Sequence, residues 1–308
     1  MRKMINHQTA NAEASAAATA PAIAAAPTVL PLSDRDRAEV LGFLPAGTVD
    51  AIYMRGLALD NGLDSPANRG TFYAARDAAG RLEGVALIGH ATLVEARTDA
   101  ALAAFARLAQ GLPNVHLLVG DPEKIERFWR HYGDGGQQPR LICRELLFEQ
   151  RAPVAVYEPV AGLRRATAAD LDLIAPVNAQ MFHEESGVNP LARDPEGFRA
   201  RLADRVAQGR VWVWTREGRL IFKVDVMAET PEAAYLEGLY VRPEARGQGY
   251  ARRCLSQVAR ALLARSESVC LVVNEQNKDA QEFFFRSGYK LRGLYDSIYL
   301  EAKGGGRA

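Results

Sequence analysis

The stretch "YLEGLYVRPEARGQGYARRCL", residues 235–255, joins an apolar strand pattern to an amphipathic helix pattern through a turn crowded with glycine and arginine. A strand that passes through such a turn into a helix forms a cradle for an anion. The first helical amides have no internal partner, the helix end carries roughly +0.5 charge, and glycine lets the backbone approach a ligand closely. Ala251, Leu255, Val258 and Leu262 recur at helical spacing and would lock the helix to a sheet. Arg252 and Arg253 occupy the first turn, where the dipole disfavours cations, which makes sense beside a docked polyanion. Two familiar phosphate cradles do not match. No G-x-x-x-x-G-K-[ST] occurs, and the third glycine of a G-x-G-x-x-G is replaced by Arg252.

Glu237 lies in the same stretch, within an otherwise apolar strand, where a carboxylate is costly unless it has a partner or a task. It is the first candidate for a general base, and Tyr235, on the same face by strand alternation, is the second. The plainer alternative, an ion pair with Lys223 or an arginine, stays open. Glu184 and Glu185, in "MFHEESGVNP", would attract a cationic amine, with Asp225 adding to the field; a solvated acidic loop is the alternative. His183 reads as a polar loop residue or a cap before it reads as a base. Trp212 and Trp214 alternate with valines and read as sheet packing.

Around these residues the pattern alternates strands and helices in two similar runs. "SDRDRAEVLGFL" starts a helix at Ser33, and "TFYAARDAAGRLEGVALIGHATLVEA" reads as three strands with a turn over Asp77 to Arg81. A helix, a short strand, a second helix and the strand or strand pair "RLICRELLFEQ" follow. After a connector with two prolines, the order recurs: strand, helix capped by Thr167, helix, a hairpin turning at Glu217-Gly218, strand, helix, strand, helix and a final strand pair in "YKLRGLYDSIYLE". The expectation is a mixed α and β chain (α/β, mixed α+β) divided into a disordered Ala/Pro-rich tail (1–31), a first domain (32–150), a linker (151–162) and a second domain (163–308).

With 308 residues and 48% hydrophobic content, the chain has material for two soluble domains. A net charge of +1 argues against a general nucleic-acid binder, which needs a clear basic excess. Cys143, Cys254 and Cys270 are far apart and form no C-x-x-C, so neither a disulfide framework nor a zinc knuckle is expected, and the reading is a reduced, cytoplasmic protein. No HExxH or Cys/His cluster suggests a metal, and no segment approaches the ~18 apolar residues of a membrane span.

Arg246-x-x-Gly249-x-Ala251, after a strand ending at Val241 and Pro243, resembles the coenzyme A loop of the GNAT superfamily of N-acetyltransferases. The downstream "LVVNEQNKDAQEFFFRSGYKLRG" also resembles that family's next segment, so the likeness covers roughly residues 160–300. The resemblance implies tandem GNAT-like domains, each a mixed central sheet flanked by helices, with a first half that is degenerate and lacks the coenzyme A loop. It implies acetyl transfer from acetyl-CoA to a primary amine of a small molecule or peptide, by a monomer or homodimer. Pyrophosphate would sit on Arg246, Gly247, Gln248, Gly249, Tyr250 and Ala251. Pantetheine and the thioester would lie along Leu239, Tyr240 and Val241, with Asn277 and Phe284 also beside the cofactor. Many relatives place a tyrosine, the general acid, where this chain has Phe284; Tyr295 or Tyr299 would have to substitute. That departure keeps a non-catalytic acyl-CoA-binding sensor as the alternative.

Overall fold

The computed structural model describes residues 26–45, 49–151, 154–156 and 158–302. Residues 1–25, most of the expected tail, lie outside them. The tail's expected end is corrected: Thr28–Pro31 form strand β1, antiparallel to β2 (Gly70–Arg76), with Val29 packed on a core and Leu30 turned outward. The alternation of that short segment gives it one face to bury.

In the first half, α1 (Arg37–Phe43) and α2 (Val49–Asp60) precede β2, β3 (Leu82–Gly89) and β4 (Ala91–Ala96). Next come α3 (Asp99–Gly111), β5 (Leu117–Gly120), α4 (Pro122–Tyr132) and β6 (Pro139–Arg151). The second half runs β7 (Arg164–Arg165), α5 (Leu171–Ser186), α6 (Pro190–Arg193), α7 (Pro195–Ala207), β8 (Val211–Arg216), β9 (Arg219–Glu229) and β10 (Ala233–Val241). It ends with α8 (Tyr250–Leu262), β11 (Ser268–Asn274), α9 (Lys278–Arg286) and β12 (Lys290–Leu300). Local chemistry sets many of these limits. Asp121 caps α4 ahead of Pro122, and Glu217 and Gly218, at φ 51° and 69°, make the tight β8–β9 hairpin. The expected loop "MFHEESGVNP" is helix as far as Ser186, because Met, His and Glu continue α5 until Gly187, at φ 72°, ends it. The expected strand pair at the carboxyl end is one strand, since Gly293 falls at a register shift against β6 and not at a turn.

All twelve strands form one sheet, in the order β1-β2-β3-β4-β5-β12-β6-β11-β10-β9-β8-β7. Among the described residues only β4–β5 and β10–β11 pair in parallel. The final strands of the two halves are exchanged: β12 pairs with β5 and β6, and β6 pairs with β11. The cores follow. Phe148 of β6 is fully buried among Leu255, Leu271 and Phe284 of the second half. Ile298 and Leu300 of β12 are buried with Phe105, Phe128 and Tyr132 of the first. Helix α2 crosses onto the second half's sheet so closely that a Cβ on Gly56 would lie 2.7 Å from the Ala228 Cβ.

Candidate functional site

Strand β10 pairs with β11 only over Ala233 to Leu236, after which the two diverge. On its other side β10 matches Asp225 with Glu237 and Lys223 with Tyr240, so Gly238 and Leu239 stand opposite Val224 alone. The bulge is built on Gly238 at φ 61°, where a Cβ would lie 2.8 Å from the Lys223 amine. The result is a notch whose lip, from Glu237 to Tyr240, is backbone without ladder partners on the β11 side. Val241, expected there too, is buried in the core, and its carbonyl accepts from Arg246 at 3.1 Å.

At the far end of the notch the chain turns into α8. Gly247 and Gly249 have φ 74° and 76°, and nothing lies within 4 Å of a Cβ placed on either. Gly249 is the N-cap without a side-chain cap, and no acidic residue occupies the first turn, so the leading amides of α8 face open space. Gln248 folds back onto the Glu244 carbonyl at 3.1 Å, and Tyr250 packs edge-on against Trp214. Of the two first-turn arginines, Arg252 is exposed at the cleft mouth. Arg253 is used differently from expectation: it binds the Glu158 carbonyl at 3.0 Å and helps hold the connector on α8. The equivalent junction of the first half is closed by its own side chains. Thr98 caps the Ala101 amide and Asp99 puts a negative charge in the first turn of α3.

The notch opens into a cleft of about 2600 Å³ walled by both halves. Three carboxylates share its floor. Glu237 is reached by cleft water yet walled by protein; burial raises its pKa, while a hydrogen bond from the Tyr235 hydroxyl lowers it. Glu185, at the end of α5, is raised to about 7 by burial and by Glu237 and Glu145, against a hydrogen bond from Tyr299. Glu145, from β6 of the first half, is raised to about 6, chiefly by burial, although the Ser297 hydroxyl donates to it at 2.8 Å. The sequence pointed to Glu237, Tyr235 and Glu185. It missed Glu145, because only the strand exchange carries that residue into the second half, and no local signal marks it.

Other expectations change. Lys223 does not pair with Glu237: fully buried, it donates to Asp225 at 3.0 Å and to Asn178. Burial lowers its pKa and Asp225 raises it. Asp225 also meets Arg205 at 3.3 Å, so its charge is balanced and adds little field for a ligand. Glu184 is exposed at the cleft and accepts from Gln180 at 2.8 Å. His183 is exposed and outside the cleft lining. Asn277 caps α9 by accepting the Ala280 amide at 3.0 Å, while still lining the cleft. Phe284 is buried among Phe148, Phe283 and Tyr289, although Phe285 beside it is 52% exposed. Tyr295 and Tyr299 both border the cleft, but Tyr295 is buried with its hydroxyl accepting the Val49 amide at 2.8 Å, whereas Tyr299 is half-buried. Among the described residues no helix is long and apolar enough to cross a membrane.

A family model described as FR47-like protein matches residues 217–297, the span from the β8–β9 turn to β12. No curated protein matches the chain. Among solved structures, a tandem GNAT protein from the clavulanic acid biosynthesis pathway is 15% identical, with 91% of this chain and 100% of that one covered at a TM-score of 0.59. A GCN5-related N-acetyltransferase from Sphaerobacter thermophilus is 14% identical, with 92% and 98% covered and a TM-score of 0.58. A GNAT-family acetyltransferase from Colwellia psychrerythraea is 10% identical, with 89% and 100% covered and a TM-score of 0.55. The chain therefore shares the fold of these solved GNAT proteins, the tandem one included.

Proposed function

We propose that the protein transfers the acetyl group of acetyl-CoA to a primary amine, with the second half holding the coenzyme. The observation that carries this reading is a single groove. It has an uncapped, glycine-entered helix end at one extremity, unpaired strand backbone along its length, and a carboxylate, Glu237, at its lip. The leading amides of α8 would hold the pyrophosphate. The bulged backbone at Gly238 and Leu239 is where a thioester carbonyl would lie, and a single amide donor there would be worth ~3 kcal/mol to a developing oxyanion.

In the reaction the ammonium first gives a proton to Glu237, directly or through water. The amine nitrogen then bonds to the thioester carbon, the carbon–sulfur bond breaks, the thiolate departs, and the nitrogen releases its second proton to solvent. Burial suits Glu237 to the first step, because a raised pKa brings it nearer the amine it must deprotonate. Phe284, packed in an aromatic cluster, offers no proton to sulfur. A thiol of pKa about 8.5 leaves tolerably as thiolate without one. Thr98 and Asp99 fill the helix end where the first half would need its own cradle, so that half serves as a wall of the site and not as a second coenzyme domain.

The test is calorimetry on the full chain with acetyl-CoA, and NAD as the control ligand. A Kd near ~10 µM, about −7 kcal/mol, is expected for acetyl-CoA alone. Gly249→Asp, which sets a carboxylate against the phosphates, should abolish it; retained affinity in that variant would sink the proposal. Amine-dependent release of free thiol then separates turnover from mere binding.

A further inference from the structure

Past the carboxylates the cleft continues to an end of opposite charge, where the starts of β4 and β5 face α6 and α7. Arg69 closes a 3-10 turn (Pro66–Asn68) in the left-handed conformation at φ 54°, uncommon for a residue with a side chain. The fold holds it there. Buried Asn68 donates to the Gly62 carbonyl at 2.8 Å, and the His90 amide donates to the Arg69 carbonyl at 2.9 Å. Gly89 is needed for this approach, since a Cβ on it would lie 2.4 Å from the Arg69 oxygen. The His90 ring packs edge-on against His116, with centroids 5.5 Å apart. The second half supplies Arg193, the last residue of α6, and Arg201 of α7, and all five side chains line the cleft.

Three arginines and one acid, Asp194, stand at this end. Asp194 pairs with Arg201 at 3.0 Å and is also the N-cap of α7, while Arg69 and Arg193 make no ion pair among the described residues. Burial and the charge of Arg201 bring Arg69 down to about 10, and burial with Arg69 and His116 brings His90 down to about 3. Arg69 and Arg193 are exposed to the cleft and aimed into it with no acidic partner of their own among the described residues, so an anionic ligand would find two charge-assisted donors there. Tyr53 connects the two ends: its hydroxyl feels both Glu237 and Arg69, and its ring meets Tyr235 edge-on at 6.4 Å.

We propose that this basic end is a subsite for a carboxylate, so that the acceptor is a small amine of amino-acid type, its ammonium on Glu237 and Glu185 and its acid group on Arg69 and Arg193. The proposal rests on the acetyl-transfer reading for the role of Glu237, but not for the subsite itself. A simple alkylamine would leave the arginines uncompensated, and a diamine would set a second cation against them. The first half thereby acquires a role in specificity: it contributes Arg69, His90 and His116 to a reaction carried out by the second.

Binding is measured on the full chain by calorimetry with β-alanine, γ-aminobutyrate and ε-aminocaproate. Each is compared with the alkylamine and the aminoalkyl phosphonate of equal chain length. At least one amino acid should bind about tenfold or more tighter than its alkylamine, the worth of one charge-assisted hydrogen bond. Arg69→Gln and Arg193→Gln should each remove most of that preference while leaving the acetyl-CoA titration unchanged, and Arg69→Lys should retain part of it. Equal affinity for amino acid and alkylamine, or a preference that survives Arg69→Gln, overturns the subsite. Stronger binding of the phosphonates overturns the carboxylate assignment. Failure of acetyl-CoA to bind the unaltered protein would instead defeat the acetyl-transfer reading, and the comparison of amino acid with alkylamine would still judge the subsite.

Discussion

Glu237 and Glu185 are both raised carboxylates, but the two shifts have different consequences. The Tyr235 hydroxyl stabilises ionised Glu237 by donating to it, so Tyr235→Phe should raise the Glu237 pKa further. The base works only when ionised, so the acid limb of the kcat/KM profile should move to higher pH in that variant. Glu237→Gln should lower kcat/KM by ~10² to 10⁴ with little change in acetyl-CoA affinity. Glu185 tests the same environment through stability. Its folded-state value lies at about 7, above the ordinary 4.5, so across that window the folded chain holds a proton that the unfolded chain has released. Stability from this group is therefore present in acid and lost as pH rises toward 7. Glu185→Gln should gain stability over the unaltered protein at alkaline pH and show no gain in acid, as read by urea denaturation at both. A gain of equal size at both would mean that charge is not the cause.

Among the elements, β10 and its exit turn use glycine for two separate purposes. Gly238 makes the bulge, and a side chain there meets both a left-handed backbone and the Lys223 amine, which Asp225 and Asn178 pin in place. Gly249 has the same kind of backbone but open space around it. Gly238→Ala should cost ~2–3 kcal/mol in urea denaturation, with loss of acetyl-CoA binding as the bulge shifts. Gly249→Ala should cost only the backbone strain, ~1–2 kcal/mol. Both glycines stand in the quoted stretch, and only the second was legible as special, because its pattern is a known turn. The first depends on a lysine from the neighbouring strand, which pairs with Asp225 and not, as its spacing would equally allow, with Glu237.

At the scale of the whole molecule, the exchange of β6 and β12 couples the halves more tightly than two domains on a linker. A fragment beginning near residue 159 lacks β6, which leaves β11 and β12 without their shared neighbour and removes Phe148 from the core. Such a fragment should be insoluble or molten, while the full chain should unfold in one cooperative transition. Phe148→Ala, a change in the first half, should destabilise the chain by ~3–5 kcal/mol and weaken acetyl-CoA binding in the second. Two separate unfolding transitions, with Phe148→Ala affecting only one of them, would contradict the coupling.

Local order was open to reading from the sequence alone. Helical and strand periodicity, the helix starts at Ser33 and Thr167, and the turn at Arg246 to Ala251 are properties of a few adjacent residues. Their physics is the pairing of neighbouring amides and the alternation of one buried face. The same locality explains the resemblance in the second half, whose motif is a short strand, turn and helix. What the tertiary structure decided is everything set by long-range pairing. Glu145 reaches the site because β6 is placed between β12 and β11. The basic end exists because residues from strand starts in one half meet two short helices of the other. Tyr295 and Tyr299 both border the cleft from one strand, yet only Tyr295 is buried, its hydroxyl taken by the Val49 amide of the first half. No periodicity encodes which strands become neighbours, since that choice is made by the burial of whole faces against one another.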